Sequence, residues 1–143
     1  MHSVALQSSS VIPKAGAGIA SRSQSLPSVR GDLDWALAWS KIEALDLSLV
    51  KLKLTHPKHG LGWTEEEAVE GERWYKKYMF LTLKYPSAFL VPNHLIDEFW
   101  HQHILDTRMY VKDCLDIYGE FHHHYPYAGL LGEDDFDRWM GNI

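Results

Sequence analysis

PNHLIDEFWHQHILDTRMYVKDCLDIYGEFHHHYPY, residues 92–127, holds six of the nine histidines and the single cysteine, Cys114. Its punctuation spells two helices. Pro92 and Asn93 open the first. Asp106 and Thr107 break it and start the second, because short polar side chains there compete for backbone donors. The second helix is predicted over about 107–118, with Gly119 as its stop. Beyond Gly119 the run His122, His123 and His124 falls in an irregular segment before Pro126.

Working back from this stretch, Thr64-Glu65-Glu66-Glu67 is a helix start. Thr64 is placed to accept from a backbone N–H and Glu67 to reach back, as in a capping box, and the acidic first turn suits the helix dipole. Ala68, Val69, Trp74, Tyr75, Tyr78, Met79 and Leu83 are the expected buried face, and Pro86 ends the helix. Residues 56–62 contain Pro57, Gly60 and Gly62 and read as a loop. Leu47 to Leu54 (LSLVKLKL) alternates like a strand until Leu49-Val50, but Leu47, Val50 and Leu54 also share a helix face. A lone strand has no partner in this sequence, so helix is preferred. Trp35, Leu37, Ala38, Trp39, Ile42 and Leu45 recur at helical spacing behind a cap at Asp32 or Asp34. A short acidic helix is expected in GEDDFDRWM, residues 132–140.

Residues 1–31 differ in kind. They carry eight serines, two prolines, three basic residues and no Asp or Glu, with no apolar period. A disordered tail is the expectation. An organelle transit peptide is the alternative, against which the sparse arginines count. The fold class that follows is all-α, a single compact domain of about four to six helices over 32–143 behind that tail.

Composition narrows the function. The chain has 143 residues, 45% of them hydrophobic, and a formal net charge of -5. That length supports a sizeable core. The negative charge argues against a nucleic-acid face. No apolar run nears the roughly 18 residues of a membrane span. One cysteine cannot form an internal disulfide, so a reducing, cytoplasmic compartment is expected. A P-loop, a dinucleotide glycine fingerprint, HExxH and GxSxG are all missing from the sequence.

The imidazoles point to a metal. At about 100° per residue, His94, Asp97 and His101 share one helix face. Asp97 and His101, four apart, can hold one divalent cation, or Asp97 can simply fix the tautomer of His101. His103 lies about 200° from His101 and reaches the same ion only if the helix unwinds there; the Asp106 break is the place for that. Gly119 lets His123 and His124 return alongside the first helix. The expected ligands are Asp97, His101, His103 and His124, with His123 as an outer or alternative ligand. That N/O set suits zinc or non-haem iron. The structural alternative is a His/Trp cluster held by hydrogen bonds alone. His103, Thr107, Tyr110 and Cys114 also form a polar stripe at spacing 4-3-4, read as a buried seam with satisfied hydroxyls. Cys114 in a helix interior reads as packing before it reads as a nucleophile.

DEFWHQHILDTRMYVKDC, then YG, then HHYPY, resembles small bacterial glycine-rich-domain-protein-like proteins, and more distantly the helical domain of plant glycine-rich domain proteins. The pattern of Asp, WHxH, Tyr, Gly and His lands on Asp97, Trp100, His101, His103, Tyr110, Gly119 and His124. The bacterial HH-x-P arrangement lands on His123, His124 and Pro126. The close resemblance covers about 97–132, with weaker similarity back to Trp35. It implies a site without implying a reaction. The sequence departs from the family at its missing glycine-rich tail and at His122, where an apolar residue is implied. The expected function is a small metal-binding protein, and beyond that a metal-dependent enzyme of a biosynthetic pathway acting on a small molecule or peptide. The alternative is a non-catalytic interaction module.

Overall fold

The computed structural model describes residues 29–31, 33–128 and 130. Five helices account for the regular structure among them: α1 Trp35–Glu43, α2 Ser48–Thr55, α3 Glu65–Lys84, α4 His94–Leu105 and α5 Thr107–Tyr118. The described residues contain no strand, and the expected all-α class holds. The expected tail falls largely on residues 1–28, the candidate cap Asp32 stands alone, and the acidic helix falls at 132–140; all three lie outside the described residues.

Short-range chemistry sets each helix end. Asp34 caps α1 by accepting from Leu37 N–H at 3.1 Å. Thr64 accepts from Glu67 N–H at 3.0 Å. The Glu67 carboxylate takes the Thr64 hydroxyl at 3.2 Å, where the capping box expects it to take the backbone N–H. Asn93 caps α4 through Ile96 N–H at 2.9 Å. Asp106 closes α4 and caps α5. Gly119 ends α5 with φ of 74°, a left-handed conformation that glycine adopts without strain.

The long helix α3 organises the packing, touching α1, α2 and α4, while α4 also meets α2 and α5. Its buried stripe is Ala68, Gly71, Tyr75, Met79 and Leu83, at steps of three and four. Val69 and Trp74 fall outside that stripe and are exposed, contrary to expectation. Trp74 instead donates its indole N–H to Glu70 and lies under Arg73 and Lys77. Gly71 matters for closeness: a Cβ there would stand 3.0 Å from Trp63 and 3.1 Å from Phe99. Val50 and Leu54 of α2, with Leu47 ahead of it, are buried against α3 and α4, which resolves the LSLVKLKL ambiguity as helix. One charged joint reinforces this side. Glu72 bonds Lys51 at 2.6 Å and Lys76 at 2.8 Å. Lys76 also donates to the Glu43 and Leu45 carbonyls at the end of α1.

Candidate metal centre

The helix α4 presents two different histidine environments because it stays helical to Leu105. The 200° between His101 and His103 therefore stands, and the two rings face opposite sides.

On one side, Asp97 and His101 sit one turn apart. The segment after Gly119 comes back along α4 and lays His124 against both. Asp97 Oδ1 is 2.7 Å from His124 Nε2, and Asp97 Oδ2 is 3.3 Å from His101 Nε2. The two Nε2 atoms are 3.1 Å apart. Neighbouring donors around an ion with bonds of about 2.0–2.2 Å lie roughly 2.9–3.5 Å apart, close to these spacings. Each of the three residues offers one donor atom, and the three atoms lie within 4.8 Å of one another. Side-chain exposure is 13% at His124, 28% at Asp97 and 41% at His101, so access is from the His101 side. Glu98 stands 3.9 Å from His101 Nδ1, beyond direct hydrogen bonding.

Trp100 and Tyr110 fix the returning segment. Trp100 Nε1 donates to Tyr110 Oη at 3.0 Å, and Tyr110 donates in turn to the His122 carbonyl. The Trp100 ring packs 4.2 Å from His124 on the segment it helps to hold. His122 stacks on two rings, nearly parallel to Trp100 at 5.3 Å and to Tyr118 at 4.3 Å. Burial first, then the neighbouring His123 and His124, push its imidazole down to about 4.

On the other side of α4, His103 is wholly buried and belongs to a separate network. Its Nδ1 meets the Tyr75 hydroxyl at 2.7 Å and its Nε2 meets Asp113 at 2.8 Å. The expectation that His103 joins Asp97 and His101 is corrected here: the chain turns at Asp106, three residues too late to swing His103 round. His123 is likewise outside the trio; it packs edge-on to Phe121 at 4.8 Å. His94, exposed at the first turn of α4, is not part of the trio either. The 4-3-4 stripe is the buried seam expected at His103, Tyr110 and Cys114, while Thr107 at its helix start is exposed. Burial pushes the Cys114 thiol up, against a nucleophilic thiolate. Sequence reasoning misses Trp100, Tyr75 and Asp113 as site residues. Trp100 announces itself only through the WHxH adjacency, and Tyr75 lies 28 residues from its partner.

Comparison with known proteins places the chain. The family model described as UCP032817-like matches residues 44–138, more than half of the 143-residue chain, and the chain belongs to that family. The match contains α2 to α5 and the whole Asp97–His101–His124 trio. No curated protein and no solved structure matches it. Among the described residues no helix is long and apolar enough to cross a membrane.

Proposed function

We propose that this UCP032817-like chain binds one divalent metal ion, zinc or iron, through Asp97, His101 and His124. The reading extends to a metal-dependent enzyme acting on a small molecule in a biosynthetic pathway, in the reducing cytoplasm that a lone cysteine favours. The observation that supports it is the convergence of one carboxylate and two Nε2 atoms from α4 and the returning segment at 2.7, 3.1 and 3.3 Å. Two imidazoles and one carboxylate make a three-ligand set that leaves coordination positions open, the donor pattern of catalytic zinc and of non-haem iron(II). Bound there, zinc would supply a Lewis acid for water activation, and iron an open position for dioxygen.

The chain's own residues divide the work. Asp97 offsets the cation's charge and keeps both rings turned inward. His124, backed by Trp100, is the more buried ligand. His101 stands at the solvent side, where a substrate would approach. The relation to the glycine-rich-domain family is proposed on the same residues, since that pattern lands on Asp97, His101 and His124.

A second reading has one observation in its favour. The 2.7 Å contact of Asp97 with His124 is by itself a clip that pins the return segment to α4. Elemental analysis of untagged protein, followed by loading with zinc and, anaerobically, with iron(II), separates the two. About one equivalent in the wild type, lost in His101→Ala with helical circular dichroism intact, is the expected result. No stoichiometric binding of either ion leaves the clip as the role of the cluster.

A further inference from the structure

Four phenols pack in or against the core: Tyr75, Tyr78, Tyr110 and Tyr118. Three of them donate to groups that cannot keep a proton. Tyr78 donates to the Leu90 carbonyl at 2.6 Å, and Tyr110 to the His122 carbonyl. Tyr118 lies 3.2 Å from the Met79 carbonyl and 2.9 Å from the Thr82 hydroxyl. Tyr75 differs, because its hydroxyl meets a base. His103 Nδ1 is 2.7 Å away, and Asp113 lies 2.8 Å from the other nitrogen of that ring. Tyr75 and His103 are both buried, while the Asp113 carboxylate is partly open to solvent.

A buried phenol gives up an electron only if its proton has somewhere to go. The cation radical left behind is a far stronger acid than an imidazolium, and an unpaired positive charge in the interior is costly. A backbone carbonyl cannot hold that proton, whereas an imidazole nitrogen can. With Asp113 ionised, His103 keeps its hydrogen on Nε2 and turns the Nδ1 lone pair to the phenol. A proton passed along that hydrogen bond makes an imidazolium whose charge faces Asp113. What remains on Tyr75 is neutral. The neighbouring rings give the electron a way out. His103 packs edge-on to Tyr110 at 5.0 Å, Trp100 is bonded to Tyr110 at 3.0 Å, and Trp100 lines a cleft of about 310 Å³.

We propose that Tyr75 is a redox-active tyrosine, with His103 as its proton acceptor and Asp113 as the counter-charge. A one-electron oxidant takes one electron from the phenol and is itself reduced. The O–H bond breaks, and the proton bonds to His103 Nδ1. The product is a neutral phenoxyl radical hydrogen-bonded to an imidazolium, and return of one electron reverses both transfers. Burial keeps the radical from pairing with another and from reductants in solution. The site needs no metal, so it stands or falls separately from the Asp97–His101–His124 reading.

The test uses the full chain, freed of metal with EDTA. It is illuminated with tris(bipyridine)ruthenium(II) and persulfate, which generate ruthenium(III) as the oxidant. It is then chased with ascorbate and frozen for electron paramagnetic resonance. The chase clears radicals on exposed rings such as Tyr127. One tyrosyl signal should outlast it in the wild type. That signal should be lost in Tyr75→Phe. It should also be lost in His103→Gln, whose amide still accepts a hydrogen bond but holds no proton. Asp113→Asn should shorten its lifetime, and Tyr118→Phe should leave it unchanged. If the core variants do not fold, the wild type decides alone. With 15N-labelled histidine, the radical should couple to a histidine nitrogen and to a proton that exchanges in heavy water. No signal outlasting the chase, or no such coupling, overturns the proposal. So does the same signal in Tyr75→Phe or His103→Gln, an equal lifetime in Asp113→Asn, or loss of the signal in Tyr118→Phe.

Discussion

The Tyr75 hydroxyl lies 2.7 Å from His103 Nδ1, and the Asp113 carboxylate lies 2.8 Å from the same ring's Nε2. This orders the protons. An ionised Asp113 only accepts, so Nε2 carries the hydrogen and Nδ1 the lone pair, and Tyr75 must donate. Burial holds the Tyr75 phenol well above its ordinary value, which keeps that proton in place. The chain thereby ties the middle of α3 to α4 and α5 inside the core.

Removing one end of this chain should cost stability without touching the Asp97–His101–His124 trio. Tyr75→Phe leaves Nδ1 buried without a donor, for about 1–3 kcal/mol. His103→Ala should cost more, about 3–4 kcal/mol, since it opens a cavity and strands two partners. Urea unfolding midpoints check both. Metal stoichiometry should stay at the wild-type value, and a loss of metal in Tyr75→Phe would contradict the separation of the two histidine environments.

Acid should destabilise the metal-free protein from near pH 6.5 downward. The fold holds His122 at about 4, against the 6.5 of an ordinary imidazole. Between those limits the unfolded chain binds more protons than the native one, so stability falls as pH falls. The contribution is present above about pH 6.5 and is lost by about pH 4, up to about 3 kcal/mol. His103, also pushed down by burial against the pull of Asp113, acts in the same direction. Urea midpoints at pH 7.5, 5.5 and 4.5 measure the slope. His122→Phe should flatten it, and an equal slope in that variant would count against this assignment.

The metal reading has a thermodynamic signature. An ion that binds only the native state stabilises it by about 2.7 kcal/mol at a hundredfold excess over its Kd. Saturating zinc should therefore raise the unfolding temperature of the wild type and leave His101→Ala unmoved. The effect should shrink as pH is lowered, because protons compete for the imidazole nitrogens. Differential scanning calorimetry with and without EDTA reads all three, and an equal zinc shift in His101→Ala would sink the ligand assignment.

Two glycines should respond to alanine for different reasons. At Gly119 a Cβ meets nothing within 4 Å, but φ is 74°, so Gly119→Ala should cost about 1 kcal/mol from backbone strain alone. At Gly71 the backbone is helical and alanine gains about 1 kcal/mol of propensity. The new methyl stands 3.0 and 3.1 Å from two ring carbons, however, and overpacking of this kind costs about 1–3 kcal/mol. Gly71→Ala should be net destabilising in urea; a gain would show that Trp63 and Phe99 yield easily.

What is legible in the chain is local. Asp34, Thr64, Asn93, Asp106 and Gly119 act within four residues of themselves, and each sets the boundary expected of it. The Asp97–His101 pairing follows from helix pitch, and the approach of His124 from the stop at Gly119. Spacing misplaces His103 because its true partners, Tyr75 and Asp113, are contributed by other helices and leave no trace nearby in the chain. Trp74 and Val69 pass for core because apolar character alone does not say on which side of a stripe a residue falls. The role of His122 is hidden in part for a similar reason: Tyr118 stands only four residues before it, but the other ring it stacks on, Trp100, comes from α4.

The burial of Cys114 turns the molecule into its own stopwatch. It is the single thiol in the chain and none of it reaches solvent. A disulfide reagent can meet it only when α5 lifts from its neighbours. The labelling rate, divided by that of an unhindered thiol, then gives the fraction of time the domain spends open, provided reclosing outruns the reagent. One colorimetric trace thus reports how often the helices part, without denaturant and without an engineered label.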